Sequence, residues 1–223
     1  MATATENATT TAASCWHASR PVRALLEGPL VAPRRGAVRK LFRRMGMSKA
    51  ARAADIAAAP DRVVLRNDIF PEVARRGGDI LFVGVRNYTT DYPQLLEAKG
   101  GRCWTLDRDP AAAEFGVPGR HATGCIGTLS TMLPDTVFTT IIMTGVLGFG
   151  VNRFSHQVAA MAACANALAT GGVLVLGWND RRVHSSLLEE AASRWFDYRA
   201  FAHLPPRLWI SGYDHNFAFL QRR

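Results

Sequence analysis

The chain is 223 residues long, 48% hydrophobic and 20% charged, so it can bury the core of one large domain and has an ordinary soluble globular composition. Its net charge of +9 is unevenly placed: residues 1–76 carry 14 Lys/Arg against 6 Asp/Glu, whereas residues 77–223 carry 13 against 12. The four cysteines (Cys15, Cys103, Cys125, Cys164) show neither a Cys-x-x-Cys pair nor a metal-ligand spacing, which points away from a metal site and toward a reducing, cytoplasmic setting.

In chain order, residues 1–14 are small and polar and are expected to be a disordered tail. They lack the basic start and apolar core of a secretory signal. Residues 15–76 read as a basic helical extension. Gly36 to Met45 sets Val38, Leu41, Phe42 and Met45 at helical spacing, with Arg39, Lys40, Arg43 and Arg44 mainly on the other side. A second helix is expected from Lys49 to Ala58, closed by Pro60, and Arg66 to Pro71 then leads into the main domain at residues 77–223.

From Gly78 onward, strands alternate with helices. Strands are expected at 79–83, 102–106, 137–143 and 173–177, with a weaker one around 121–125. Helices are expected at 92–99, 110–115, 155–169 and 185–193. Cys103 falls in a strand and Cys164 in a helix, where buried thiols are expected. The longest apolar run, Val137 to Val151, is too short and too rich in Thr and Gly to span a bilayer. Fully apolar strands alternating with helices argue for an α/β fold, a doubly wound parallel sheet covered on both faces. The end differs: 196–203 and 216–221 read as an antiparallel edge hairpin, joined by a loop holding Pro205, Pro206 and Gly212.

Two strand ends carry the first functional signal. The strand from Asp79 runs into Gly84, and the next ends on Asp107. In a doubly wound sheet these ends lie side by side, where nucleoside cofactors bind. Glycine allows close backbone approach, and the acid accepts hydrogen bonds from ribose hydroxyls. Dinucleotide binding needs Gly-x-Gly-x-x-Gly after the strand; here only Gly84 is present, with Arg86, Tyr88 and Asp91 where close approach to pyrophosphate is required.

The order of elements resembles the class I S-adenosylmethionine-dependent methyltransferase fold, a Rossmann-like seven-stranded sheet with an antiparallel last strand. Four stretches carry the resemblance: Ile80 to Val85, Thr105 to Pro110, Thr140 to Val146, and Leu168 to Gly177, which holds a Leu-x-x-Gly-Gly turn. The resemblance implies S-adenosyl-L-methionine as cofactor, with Gly84 at the turn and Asp107 on the ribose. It sets Arg86, Asn87, Tyr88 and Thr89 beside the methionine part. Gly124, Cys125 and Ile126 stand where an adenine-contacting acid is frequent, so adenine would be held by apolar contact and backbone. Thr144 stands at a position that is often Asn or Asp.

Other candidates have plainer readings beside them. Asp109 before Pro110 suits a helix cap, and would be the ribose acid if the register moved. Tyr88, Trp178 and Tyr213 fall near the cofactor edge, where one aromatic face would stabilise the sulfonium; taken singly, each is ordinary packing. Asn152 orients a ligand or serves as a turn residue. His215, beside Asp214 and just before the last strand, is the candidate general base, or else a hairpin residue. No His/Cys/Asp/Glu cluster suggests a metal.

The leading expectation is methyl transfer from S-adenosylmethionine to an O or N nucleophile of a small molecule, with the N-terminal extension as a lid. The alternative is cyclisation of the cofactor itself to azetidine-2-carboxylate and methylthioadenosine. A third is a non-catalytic cofactor- or RNA-binding protein, nucleic acid being suggested by the basic zone from Arg34 to Arg52.

Overall fold

The structure, a computed structural model, describes residues 49–223. The expected tail at 1–14, the basic helix expected over Gly36 to Met45, and Cys15 lie outside the described residues.

Helix α1 spans Lys49–Ala57, as expected. Pro60 does not simply close it. It opens helix α2 (Pro60–Val64), after Ala59 turns to an extended conformation. Proline suits a first helical turn because its missing N–H would be unpaired there anyway. The chain then widens into a π-helical turn, Leu65–Ile69, where the Phe70 N–H donates to the Leu65 carbonyl, and continues as α3 (Phe70–Arg76). Arg66 to Pro71, expected as a leader, is therefore helical. The wide turn lies immediately before Pro71, which has no N–H to give and whose ring crowds the carbonyl four residues back in a regular helix.

Eight strands form one sheet: β1 (Asp79–Val83), β2 (Arg102–Asp107), β3 (His121–Thr123), β4 (Phe138–Thr144), β5 (Leu168–Trp178), β6 (Phe196–Tyr198), β7 (Arg207–Trp209) and β8 (Asn216–Arg222). The order is β3-β2-β1-β4-β5-β8-β6, with β7 also on β8. Strands β1 to β5 pair in parallel, and β8 runs antiparallel to β5. The chain fills seven positions with eight strands because β6 and β7 share one edge. β6 pairs with the second half of β8, and β7 with the first.

The expected hairpin is thus corrected in two ways. β8 is inserted beside β5 and is not an edge. The single strand expected over 196–203 stops at Tyr198, the chain loops out, and pairing resumes at Arg207. Pro205 and Pro206 cannot donate to a ladder, Ala202 takes a positive φ of 54°, and Phe201 and Leu204 bond to each other instead. Strand β5 also begins earlier than expected, taking in the Gly171-Gly172 bend, and its register with β4 shifts between Phe138 and Thr140.

Helices α4 (Tyr92–Leu96), α5 (Leu129–Met132), α6 (Phe154–Ala167) and α7 (Ser185–Ala192) complete the described fold, and residues Pro110–Phe115 form a 3-10 helix. Asp109 caps that 3-10 helix by accepting the Ala111 N–H, the plainer of its two readings. α6 turns Gln157, Ala160, Met161 and Cys164 inward at helical spacing. Cys103 and Cys164 are buried as expected, and burial pushes both thiols up to about 12. On the other side of the sheet, Phe70 of α3 meets Phe82 and Tyr92 edge-on.

Candidate functional site

The ends of β1 and β2 build one wall of a cleft. β1 passes into Gly84, whose φ is +93°; a side chain there would start 3.3 Å from Val146. The Gly84 N–H donates to the Leu106 carbonyl at 2.8 Å, so the two strand ends stay side by side. Asp107, 3% exposed, closes β2. Its Oδ1 accepts the Asp109 N–H at 2.9 Å, and its Oδ2 accepts from Arg86 Nη1 at 2.6 Å.

Gly124, Cys125 and Ile126 face these groups across the cleft, and the β4–α6 loop, through Val146 and Val151, closes one side. Gln157 of α6 anchors that loop by donating to the Val151 carbonyl at 3.2 Å. Two arginines also line the cleft. Arg86 holds Asp107 and also donates to the Val85 carbonyl, and Arg108 donates to the Gly150 carbonyl at 3.1 Å. The residues fit a nucleoside: a glycine where backbone must come close, a carboxylate for a vicinal diol, and Ile126 and Val151 for a base. A diol taking both Asp107 oxygens requires Arg86 to turn away from Oδ2.

A second cluster lies at the ends of β4 and β5. Asp61 and Arg62 of α2 are 6% and 9% exposed, although both are charged. Arg62 Nη1 donates to Thr144 Oγ1 at 3.4 Å, and its guanidinium lies 5.7 Å from the Tyr88 ring. His215, 3% exposed, places Nδ1 3.7 Å from Asp61 Oδ2. A Cβ on Gly177 would fall 2.9 Å from both His215 Nε2 and Thr144 Oγ1, so the glycine makes room for the histidine to lie over the end of β5. The cluster touches the cleft at Gly145, whose Cβ position is 3.3 Å from Arg62 Nη2.

Of the expected residues, Gly84, Arg86, Asp107, Cys125 and Ile126 line the cleft. Arg86, expected beside a methionine chain, is hydrogen-bonded to Asp107. Thr89 is turned into its own loop: its hydroxyl accepts the Arg86 N–H at 2.9 Å and donates to the Arg86 carbonyl at 2.8 Å. Tyr88 and Thr144 belong to the second cluster. Asn152 is exposed, and the structure does not bring it to the cleft wall. Trp178 is fully buried, donating Nε1 to Asp180 and Ser185, so it packs and does not face a ligand. Tyr213 lies in the turn before His215, with its N–H on the Ile210 carbonyl. The carboxylate near His215 is Asp61; Asp214 pairs with Arg181. Among the described residues, no group of three or more His, Cys, Asp or Glu could hold a metal ion.

Asp61 and Arg62 were missed because charges are normally expected in solvent. The signal was present: Asp61, Leu65, Ile69 and Val73 repeat at four-residue steps, so the buried stripe of this helical stretch runs back onto a charge.

No family model matches the chain, and no curated protein matches it. Solved structures do. The N-methyltransferase NodS of Bradyrhizobium japonicum superposes with a TM-score of 0.56 at 16% identity, covering 74% of this chain and 98% of that one. A TehB-like SAM-dependent methyltransferase of Corynebacterium glutamicum gives 0.52 at 21%, covering 78% and 100%. A SAM-dependent methyltransferase of Bacteroides fragilis in complex with S-adenosyl-L-homocysteine gives 0.50 at 13%, covering 68% and 75%. The chain has the class I S-adenosylmethionine-dependent methyltransferase fold, as its element order implied.

Proposed function

We propose that the protein is an S-adenosylmethionine-dependent enzyme, a methyltransferase acting on an O or N nucleophile of a small molecule. The observation that carries this is the pairing of Gly84, where only a glycine leaves the approach open, with the buried Asp107 carboxylate at the adjacent strand end. The fold supports it, because this is the cleft at the carboxyl ends of the strands in a doubly wound sheet. Bound S-adenosylmethionine supplies a carbon made electrophilic by the adjoining positive sulfur.

The chain's own residues then position and exclude water. Gly84 and Asp107 hold the ribose, and Ile126 and Val151 receive the adenine on apolar surface. His215 is the group for the nucleophile's proton, with Asp61 Oδ2 3.7 Å from its Nδ1 to orient the ring. Alignment of two reactants with water removed supplies most of the rate such a displacement needs. Tyr213 borders His215; Asn152, exposed, has no assigned part.

A second reading is favoured by one observation. Arg62 packs onto Thr144 and Gly145, filling the end of β4 beside the cleft, which narrows the side from which an acceptor would enter. If no acceptor fits, the cofactor's own amine is the nucleophile, and azetidine-2-carboxylate with methylthioadenosine is the product. Mass spectrometry of the protein incubated with S-adenosylmethionine separates the two. Methylation of an added O or N acceptor, with S-adenosylhomocysteine formed, is the expected result. Methylthioadenosine with a cyclic amino acid and no acceptor would sink methyl transfer. Intact S-adenosylmethionine across an acceptor panel, without binding, would remove both.

A further inference from the structure

The tip of the β4–α6 loop is built around an exposed aromatic ring. Phe149 is 52% exposed and lines the cleft, whereas Phe138, Phe217 and Phe219 of the strands are buried. Backbone bonds hold the ring out: the Gly148 N–H donates to the Val151 carbonyl at 3.0 Å, and the Phe149 N–H to the Val146 carbonyl at 3.1 Å.

Two guanidiniums grip this tip from different strand ends. Arg108, directly after β2, donates Nη1 to the Gly150 carbonyl, and Arg182, after β5, donates Nη1 to the Gly148 carbonyl, both at 3.1 Å. Arg182 also lies over the Phe149 ring, 4.2 Å from its centroid. Gly148 makes room for it, because a Cβ there would fall 2.5 Å from Arg182 Cβ.

Neither charge is neutralised among the described residues. Arg86 pairs with Asp107 and Arg181 with Asp214, but Arg108 and Arg182 have no carboxylate within ion-pair reach. Asp109, next to Arg108, accepts the Ala111 N–H instead. Arg108 lines the cleft itself, and Arg182 acts on it through Phe149. With Asp107 matched by Arg86, the excess charge on the cleft wall is positive, and a cleft focuses such a field. A sulfonium adds to that charge; an anionic second reactant offsets it.

We infer that the methyl acceptor is a planar compound bearing an oxyanion, a carboxylate or a phosphate, with its ring against Phe149 and its anion on Arg108. This rests on the functional reading above and names the acceptor's class. With Nη1 on the Gly150 carbonyl, the Nε–Nη2 edge of Arg108 carries no other hydrogen bond among the described residues. That edge matches two oxygens of an oxyanion through parallel N–H donors.

Calorimetry of the full chain, with and without S-adenosylhomocysteine, tests this on three ring ligands: para-hydroxybenzoate, phenyl phosphate, and the neutral methyl ester of para-hydroxybenzoate. One of the two anions is expected to bind at least about tenfold tighter than the ester, and the stronger identifies the oxyanion. Arg108→Gln should cut that preference to less than about threefold, with Arg108→Lys recovering part of it. Phe149→Ala should weaken anion and ester together, and added salt should reduce only the anion's advantage. Equal binding of anion and ester by the wild type, or binding of neither, would overturn the assignment. So would an intact preference in Arg108→Gln, or an equal loss of anion and ester there, which would make Arg108 a support for the loop. Should Arg108→Gln not fold, by its thermal unfolding midpoint, Arg108→Lys and the salt series on the wild type decide. Titration with S-adenosylmethionine alone separates the two claims. Anion preference without cofactor binding contradicts the functional reading, and cofactor binding without anion preference contradicts the acceptor class.

Discussion

Single residues carry the claims about chemistry. Asp107 is held in place by the Asp109 N–H and by Arg86, so its carboxylate is oriented before any ligand arrives. Asp107→Asn keeps the shape and removes the charge. It is expected to weaken S-adenosylmethionine by about 1.5–3 kcal/mol, on the order of 10- to 100-fold in Kd, measured by calorimetry. Gly177 tests the other cluster. A methyl group there would start 2.9 Å from His215 Nε2 and from the Thr144 side chain, with buried neighbours that have little room to yield. Gly177→Ala should cost about 1–3 kcal/mol of stability by overpacking, read from chemical denaturation, and should lower turnover more than cofactor binding. An alanine variant with wild-type stability and turnover would show that His215 does not depend on the glycine. The sequence made Gly84 and Asp107 legible because a strand end leaves a recognisable pattern. It did not reveal Asp61 beside His215, because 154 positions separate them and only the fold brings them together.

At the scale of elements, apolar runs were a reliable guide and prolines an ambiguous one. β1 and β4 were readable because both faces are buried, which leaves a nearly continuous hydrophobic string. Pro60 was read as closing a helix and Arg66 to Pro71 as a leader into the main domain, yet Pro60 starts a helix and Pro71 follows a π turn inside a continuous helical stretch. Composition does not distinguish a proline that ends a helix from one that begins it; the extended conformation of Ala59 does. β7 was hidden in a loop because three residues beside two prolines carry no periodicity.

The β1–β2 pair supplies a test by pH. Asp79 accepts from Arg102 Nε and Nη2 at 2.5 and 2.7 Å and from Trp104 Nε1 at 2.8 Å. The Arg102 bond chiefly holds its carboxyl below the usual value, with burial opposing and Trp104 assisting. A carboxylate whose folded pKa is depressed contributes stability that is complete above its unfolded value of 3.8 and is lost as pH falls through the folded value. Asp79→Asn should therefore lower the denaturation midpoint at pH 7 and flatten its decline below about pH 4. An unchanged acid slope would contradict this.

For the molecule as a whole, the sheet order and the inserted antiparallel strand define a fold that serves many chemistries, and fold alone does not choose among them. The choice is made at two adjoining places: the Gly84–Asp107 wall, and the charged cluster that α2 brings to the ends of β4 and β5. The alternation of strands and helices made the first place readable from sequence. The second depends on a helix packing back over strand ends far along the chain. Among the described residues no helix is long and apolar enough to cross a membrane. The central claim is that this cleft binds S-adenosylmethionine through Asp107. Titration of the full chain with S-adenosylmethionine, beside Asp107→Ala at equal stability, tests it most directly. Saturable binding by the wild type, weakened at least about tenfold in the variant, is the predicted result. Binding of equal strength in both, or in neither, would contradict the account.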